Sequence, residues 1–191
     1  GAKELVGLAK QKNLVLSVGY LFRFNPAVIE LKRRLKEKSG QVQYISGRYI
    51  HSSKPPRADS GVIFNLGIHM IDILNFVLDK KPKKVYCKRT NFLNPQNEDS
   101  ASIVLKYENF FASLDVSCCH PLKKRDMWII AENEKIYVDF FDQIMTVYPI
   151  YIKDGEVIKE IPSNVEIRKN EPLKEQLEHF IKCVSGLENN L

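Results

Sequence analysis

The sequence predicts an α+β fold: a large, mostly antiparallel sheet with helices packed on one face, preceded by the last helix and strand of a truncated α/β domain. Three observations carry this. From about residue 85 onward, short apolar runs alternate with turn residues, the pattern of consecutive antiparallel strands. Residues 60–78, SGVIFNLGIHMIDILNFVL, read as a helix apolar nearly all round, hence a buried one. At the start, a helical pattern runs directly into the apolar stretch LVLSV, half of a βαβ unit without its other half.

The 191 residues suffice for one domain with a real core plus a piece of another. At 44% hydrophobic and 27% charged, composition matches ordinary globular proteins rather than disordered or membrane-spanning ones. No signal-peptide pattern opens the chain. Cysteines fall at 87, 118, 119 and 183, with no C-x-x-C pair, so neither a disulfide framework nor a zinc site is expected. Reduced thiols and a cytoplasmic setting fit better. The net charge of +6 gathers at residues 32–34, 80–84 and 123–125. These clusters fall on separate helix faces and loops, without a nucleic-acid motif. They read as solvated surface and helix C-terminal charge, and neither nucleic acid nor membrane is an expected partner.

In order along the chain, residues 2–12 are expected to form a helix, with Leu5, Leu8 and Ala9 on one face, ended by Asn13. Residues 14–18 then form a strand buried on both faces. Together with residues up to 20 they make the remnant of an N-terminal dinucleotide-binding domain; residues 21–191 form the next domain. A segment 14–18 that is not a strand counts against this expectation. Asn25 caps the following helix and Pro26 takes its first position. That helix carries Val28, Ile29, Leu31 and Leu35 inward and stops at Ser39-Gly40. Residues 41–51 alternate as a long strand. The loop 52–59 contains Pro55-Pro56, and Ser60 is the expected N-cap of the central helix. Strands are expected at 85–92, 100–107 and 110–118, then hairpins pairing 127–131 with 135–140 and 144–152 with 156–161 around Asp154-Gly155. A last helix begins at Pro172, with Leu173, Leu177, Phe180 and Ile181 apolar, and Gly186 closes it. Tyr107, Phe110, Phe111, Phe140, Phe141 and Tyr148 serve either the core or a sheet-to-sheet subunit contact.

One narrow stripe breaks the central helix. Asn65, His69 and Asp72 are spaced i, i+4 and i+7 and so stack on one face. A polar stripe this narrow is either satisfied internally, as a buried His bonded to Asp72, or lines a pocket.

Four stretches together resemble one family: VGYLFRFNP (18–26), GVIFNLGIHMID (61–72), EDSASIVLKYEN (98–109) and EPLKEQLEHFIKCVSG (171–186). In order and spacing they are similar to the second domain of the Gfo/Idh/MocA oxidoreductases, which include glucose–fructose oxidoreductase and inositol dehydrogenase. The resemblance covers nearly the whole chain. It implies an N-terminal Rossmann domain for NAD or NADP, and a C-terminal domain that binds substrate and oligomerises. It also implies oxidation or reduction of a hydroxyl-bearing carbon on a sugar, nucleotide sugar or cyclitol. The family's Gly-rich fingerprint and E-K-P lysine are not in these residues. The chain therefore resembles a truncated enzyme, expected to be inactive alone and to hold no cofactor of its own. In many relatives the central helix carries Asp-x-x-x-His followed by Asp three residues on. His69 and Asp72 match; Asn65 stands where Asp is usual, and an amide supplies no charge.

On this resemblance His69, or the absent Lys, removes a substrate hydroxyl proton while the carbon gives hydride to the cofactor. Asn65 and Asp72 orient the substrate or His69. Tyr20, Arg23 and Asn25 stand at the expected mouth between domains, where α/β ligand sites usually lie. Arg23 suits a phosphate or carboxylate there, or simple interdomain packing, and Asn25 is foremost the helix cap. Arg57 in the proline loop, and Arg125 with Lys124 before the strand at 127, are further candidates for substrate contact. Trp128 reads as core. His51, His120 and His179 show no metal spacing and are assigned no role. The expected partners are a sugar or nucleotide-sugar substrate and a second copy of the chain, met through the open sheet face. The alternative from another class is a non-catalytic sugar-binding or oligomerisation domain.

Overall fold

The structure, a computed structural model, describes residues 1–53, 59–93 and 95–189. Its centre is an eight-stranded sheet in the order β10-β7-β6-β5-β1-β4-β3-β2. The strands are β1 (Val42–Ser52), β2 (Lys84–Thr90), β3 (Ser100–Lys106), β4 (Phe111–Ser117), β5 (Cys119–Ala131), β6 (Lys135–Asp139), β7 (Ile144–Tyr148) and β10 (Ser163–Asn164). Only β1 and β4 run parallel within it, with Tyr44 opposite Phe111 and Ile50 opposite Ser117. A separate ribbon pairs β8 (Ile150–Lys153) with β9 (Glu156–Lys159) through a turn in which Asp154 and Gly155 both take positive φ. The expected third hairpin is thus two elements: β7 stays in the main sheet, and Pro149, which cannot donate a ladder bond, precedes the ribbon.

Burial alternates along β3 and β4, because successive side chains point to opposite faces of the sheet. Ile45, Gly47 and Tyr49 of β1 share the inner face with Met127 and Leu114. Across that face lie α2 (Pro26–Glu37) and α3 (Ile68–Leu78), which bury Val28, Leu31, Met70, Ile73 and Leu74. The approach is close at Gly47: a Cβ there would stand 2.9 Å from Met70 Cε and 3.0 Å from Leu114 Cδ2. A buried pair ties α2 to the β5–β6 turn. Arg34 donates two hydrogen bonds to Glu134, at 2.8 and 2.7 Å, and the Ser39 hydroxyl donates to the same carboxylate.

The first stretch departs from expectation. α1 (Ala2–Gln11) forms, but buries no residue. Residues 14–18 are not a strand, and Leu14, Leu16 and Val18 are exposed. A strand exists through its ladder, and no described strand runs beside this one. The last helix, α4 (Pro172–Val184), likewise leaves Leu173, Leu177 and Ile181 more than half exposed. Its contact with the rest is narrow: the His179 ring lies 5.3 Å from that of Phe24. Among the described residues no helix is long and apolar enough to cross a membrane.

Among the described residues no helix covers the outer sheet face. It carries a Tyr44–Phe111 stack and a Trp128–Tyr137–Tyr148 cluster beside the Arg48–Asp126 ion pair. Trp128 therefore stands on this face and outside the helix-covered core. Of the other aromatics, Tyr107 and Phe140 are buried, whereas Phe111 and Phe141 are about half exposed.

Candidate active site

The central helix is not one regular α-helix. Residues Ile63–Gly67 form a wider π turn, with the Ile68 amide donating back to the Ile63 carbonyl, before α3 proper begins. Such turns insert an extra residue and re-aim the side chains beyond them. The helix start is not capped by Ser60. Glu98, from the loop before β3, does this: the Ile63 amide donates to its carboxylate at 3.1 Å and the Val62 amide to its carbonyl at 2.9 Å. Gly61 makes room for it, since a Cβ there would fall 2.1 Å from Glu98 Cδ.

The stripe therefore divides into three different fates. Asn65 turns back to the helix start: its Nδ2 donates to the carbonyls of Ser60, at 2.8 Å, and Gly61, at 3.0 Å. Asp72, 6% exposed, is held by Arg23, whose Nε donates at 3.0 Å and Nη2 at 2.7 Å. A forked guanidinium on a carboxylate fixes both groups. Arg23 is steadied further by the Tyr20 ring, 5.1 Å away, and the Phe76 ring, 5.7 Å away. His69 is left between Phe22, edge-on at 5.6 Å, and Tyr49 at 6.4 Å. Its Nδ1 is buried and has no hydrogen-bond partner among the described residues.

Burial pushes the His69 pKa below the ordinary histidine value. Asp72 opposes that shift, and Arg125 adds to it. An imidazole in this setting is neutral near pH 7, and its buried Nδ1 is left with an unsatisfied lone pair or N–H.

The expectation that Asp72 satisfies His69 gives way to its pairing with Arg23, 49 residues away in sequence. Arg23 in turn has a carboxylate of its own and is not an open anion site. Asn25 is buried with both ends of its amide engaged: Oδ1 accepts from the Ala27 amide and Nδ2 donates to the Phe140 carbonyl at 2.9 Å. It is the helix cap, as its spacing before Pro26 leads one to expect. Tyr20 borders a small crevice of about 180 Å³ with Leu16, Val18, Arg23 and His179. Arg57 lies outside the described residues.

Lys124 and Arg125 separate, because adjacent strand residues face opposite ways. Lys124 sits on the outer face, 4.0 Å from Asp139. Arg125 points to the inner face, over the Tyr49 ring at 4.6 Å, and its Nε is buried without a hydrogen-bond partner. Lys123 lies over the Phe141 ring at 4.5 Å. His51 is one residue the sequence reading passed over. It meets the Tyr49 ring edge at 6.1 Å, and its Nδ1 is 2.7 Å from the Ser53 hydroxyl. Burial lowers its pKa, and Arg125 and Lys123 lower it further. The available signal was its spacing, two residues after Tyr49 on a strand whose alternate positions face the core.

A cavity of about 800 Å³ lies elsewhere, at the C-terminal end of α3 among Lys32, Lys36, Lys80, Lys81 and Tyr107. Burial holds the Tyr107 hydroxyl at a pKa of about 12, so that group is not suited to proton transfer near neutral pH. Among the described residues no group of three His, Cys, Asp or Glu could hold a metal ion.

Fold and site thus define an α+β domain with a half-buried imidazole on its central helix, its Nδ1 unpartnered among the described residues, near the Arg125 guanidinium. Comparison with known proteins places it more closely. The GFO/IDH/MocA C-terminal domain model matches residues 28–137, more than half of the chain, and the chain belongs to that family. It is 23% identical over 189 residues to UDP-N-acetylglucosamine 3-dehydrogenase of Acidithiobacillus ferrooxidans, a match that takes in 97% of this chain and 58% of that protein. It is 28% identical over 100 residues to inositol 2-dehydrogenase 2 of Saccharopolyspora erythraea, covering 50% of this chain and 30% of that one. A crystal form of the Acidithiobacillus ferrooxidans enzyme superposes with a TM-score of 0.80 at 24% identity, over 99% of this chain and 59% of that one. An inositol dehydrogenase homologue of Azotobacter vinelandii, complexed with NADH and myo-inositol, gives 0.79 at 13% identity over 97% and 56%. The chain thus spans less than two thirds of the length of these relatives.

Proposed function

We propose that this chain is the substrate-binding part of an NAD- or NADP-dependent oxidoreductase acting on a hydroxyl-bearing carbon of a sugar, nucleotide sugar or cyclitol. The observation that carries the proposal is His69: a buried Nδ1 without a partner, on an imidazole held neutral, in a chain of this family. His69 accepts the proton of the substrate hydroxyl as the carbonyl forms. The Arg23–Asp72 pair keeps the wall beside it rigid. Phe22 and Tyr49 limit water around the imidazole, which strengthens its hydrogen bond to the substrate.

When bound, the nicotinamide supplies the hydride acceptor. These 191 residues contain no Gly-x-Gly-x-x-Gly turn to cradle a dinucleotide pyrophosphate, and no step is assigned to it here. Residues 14–18 form no strand here, which counts against a nucleotide-domain remnant; on this reading residues 1–20 would need that domain's own strands as ladder partners, and it would cover the exposed Leu5, Leu8, Leu16, Val18, Leu177 and Ile181. The chain assayed by itself, by NADH absorbance with UDP-N-acetylglucosamine or myo-inositol, is then expected to be inactive. Turnover by the chain alone would overturn that division of labour. The role of His69 is tested by His69→Ala in the chain joined to its nucleotide-binding domain.

A second reading, a sugar-binding or oligomerisation domain without chemistry, draws on two observations. Asn65 is spent on the helix start, and the aromatic outer face suits a second copy of the chain. The joined protein lacking turnover while still binding sugar would favour it.

A further inference from the structure

The cavity of about 800 Å³ opens where α2 and α3 both end. Its volume is in the range of small-molecule sites. His69 and Leu78 stand roughly 13 Å apart along the axis of α3, so this hollow is separate from the candidate active site. Its lining is strongly basic. Lys32 and Lys36 come from α2, and Lys80, Lys81 and Lys83 from the segment that leaves α3. The acids in the lining are Asp79 and Glu108. Glu108 is taken by Lys83, and Lys80 acts on it from further away. Lys32, Lys36 and Lys81 form no ion pair among the described residues. The Lys32 ammonium lies 3.9 Å from the centre of the Phe76 ring, a contact that positions a charge without neutralising it. The carbonyls at a helix C-terminus attract cations, but that pull fades within the last turn. It accounts for Lys36 and Lys80 and leaves Lys32 and Lys81 unexplained. On the apolar side, Tyr107 and Phe110 stack at 4.5 Å, and the buried Tyr107 hydroxyl has no hydrogen-bond partner among the described residues.

We propose that this cavity is a second binding site of the domain, for a small anion that carries two or more phosphoryl groups, held by Lys32, Lys36, Lys80 and Lys81. Five lysines against two carboxylates leave an excess of three positive charges around one hollow. Like charges so gathered repel one another, and a multivalent anion relieves that repulsion. Ammonium groups are compact point charges that suit phosphoryl oxygens, and no arginine lines the cavity to offer a carboxylate its planar fork. The charges surround a hollow and do not run along a strip, which favours a small ligand over a nucleic-acid strand. The site is independent of proton transfer at His69.

The test is isothermal titration of the 191-residue chain with pyrophosphate, ADP, orthophosphate and citrate, in about 50 mM and about 200 mM salt. Pyrophosphate is expected to bind once per chain, at least about tenfold more tightly than orthophosphate or citrate, and more weakly as salt rises. ADP binding more tightly than pyrophosphate would assign the phosphoryl groups to a nucleotide, and more weakly to a free polyphosphate; either result supports the site. The double variant Lys32→Gln with Lys81→Gln is expected to lose about tenfold or more in affinity. Lys153→Gln with Lys159→Gln, on the exposed β8–β9 ribbon, removes the same charge and is expected to stay within about twofold. Circular dichroism checks that each variant is folded. Absence of binding by both pyrophosphate and ADP overturns the proposal, as does an equal loss in the two double variants, which would mean attraction to net charge alone. Loss of binding in Arg125→Gln would put the anion beside His69 and overturns it too. Citrate binding as tightly as pyrophosphate overturns the phosphoryl assignment.

Discussion

His69→Ala is expected to lower kcat/KM by about 10²- to 10⁴-fold, the usual contribution of a positioned acid–base group. The assay is hydride transfer by the chain joined to its nucleotide-binding domain. The physical case is that the imidazole has been stripped of alternatives. Its Nδ1 has no internal partner, and burial together with Arg125 outweighs the pull of Asp72 toward the charged form. A histidine kept for packing alone would have its ring nitrogens satisfied, because an unpaired buried nitrogen costs about 1–3 kcal/mol. Loss of the ring should also change KM less than kcat, since a proton acceptor acts mainly in the transition state. Retention of activity within a few fold would assign proton transfer elsewhere.

Arg23→Ala is expected to destabilise the domain by about 3 kcal/mol, the lower end of the range for breaking a buried ion pair, because Arg23 is partly exposed. The cost falls on Asp72, which at 6% exposure keeps a carboxylate but loses both donors. Three kcal/mol is a large share of the total stability of a domain of this size. Urea denaturation followed by circular dichroism reads it as a lower midpoint with an unchanged slope. The double variant Arg23→Met with Asp72→Leu should recover most of the loss, since it leaves no charge stranded. An Arg23→Ala midpoint equal to wild type would mean that solvent already satisfies Asp72.

Much of this architecture is legible in the sequence because it rests on local periodicity. The alternation in residues 100–117 and the apolar run of residues 60–78 place β3, β4 and the central helix, whose π turn and α3 together run from Ile63 to Leu78, within about three residues. The Asp154-Gly155 turn follows from residues that tolerate positive φ. What escapes is long-range. Glu98 caps a helix start 35 residues away, and no neighbouring residue announces it. The same holds for Arg23 and Asp72, whose pairing removes Asp72 from His69. A regular 100° wheel put Asn65 beside His69, but the π turn at Ile63–Gly67 changes the rotation between them. The apolar run 14–18 has the composition of a buried strand, yet a strand needs a ladder that no described residue provides. Strand alternation from Tyr49 would have brought His51 to attention, and pairing with β5 shows why Arg125, opposite Tyr49, belongs with it while Lys124 does not.

The central claim is that a neutral His69 accepts the substrate proton. The measurement that bears on it most directly is the pH profile of kcat/KM for alcohol oxidation, compared between the wild-type joined protein and His69→Ala. As pH falls, protonation fills the lone pair that must take the proton, so the wild-type rate should drop on the acid side. The midpoint of that limb should lie below 6.5, the ordinary histidine value from which burial has lowered it. In His69→Ala the limb should disappear, leaving a low, flatter profile. An acid limb that persists unchanged in His69→Ala would contradict the account.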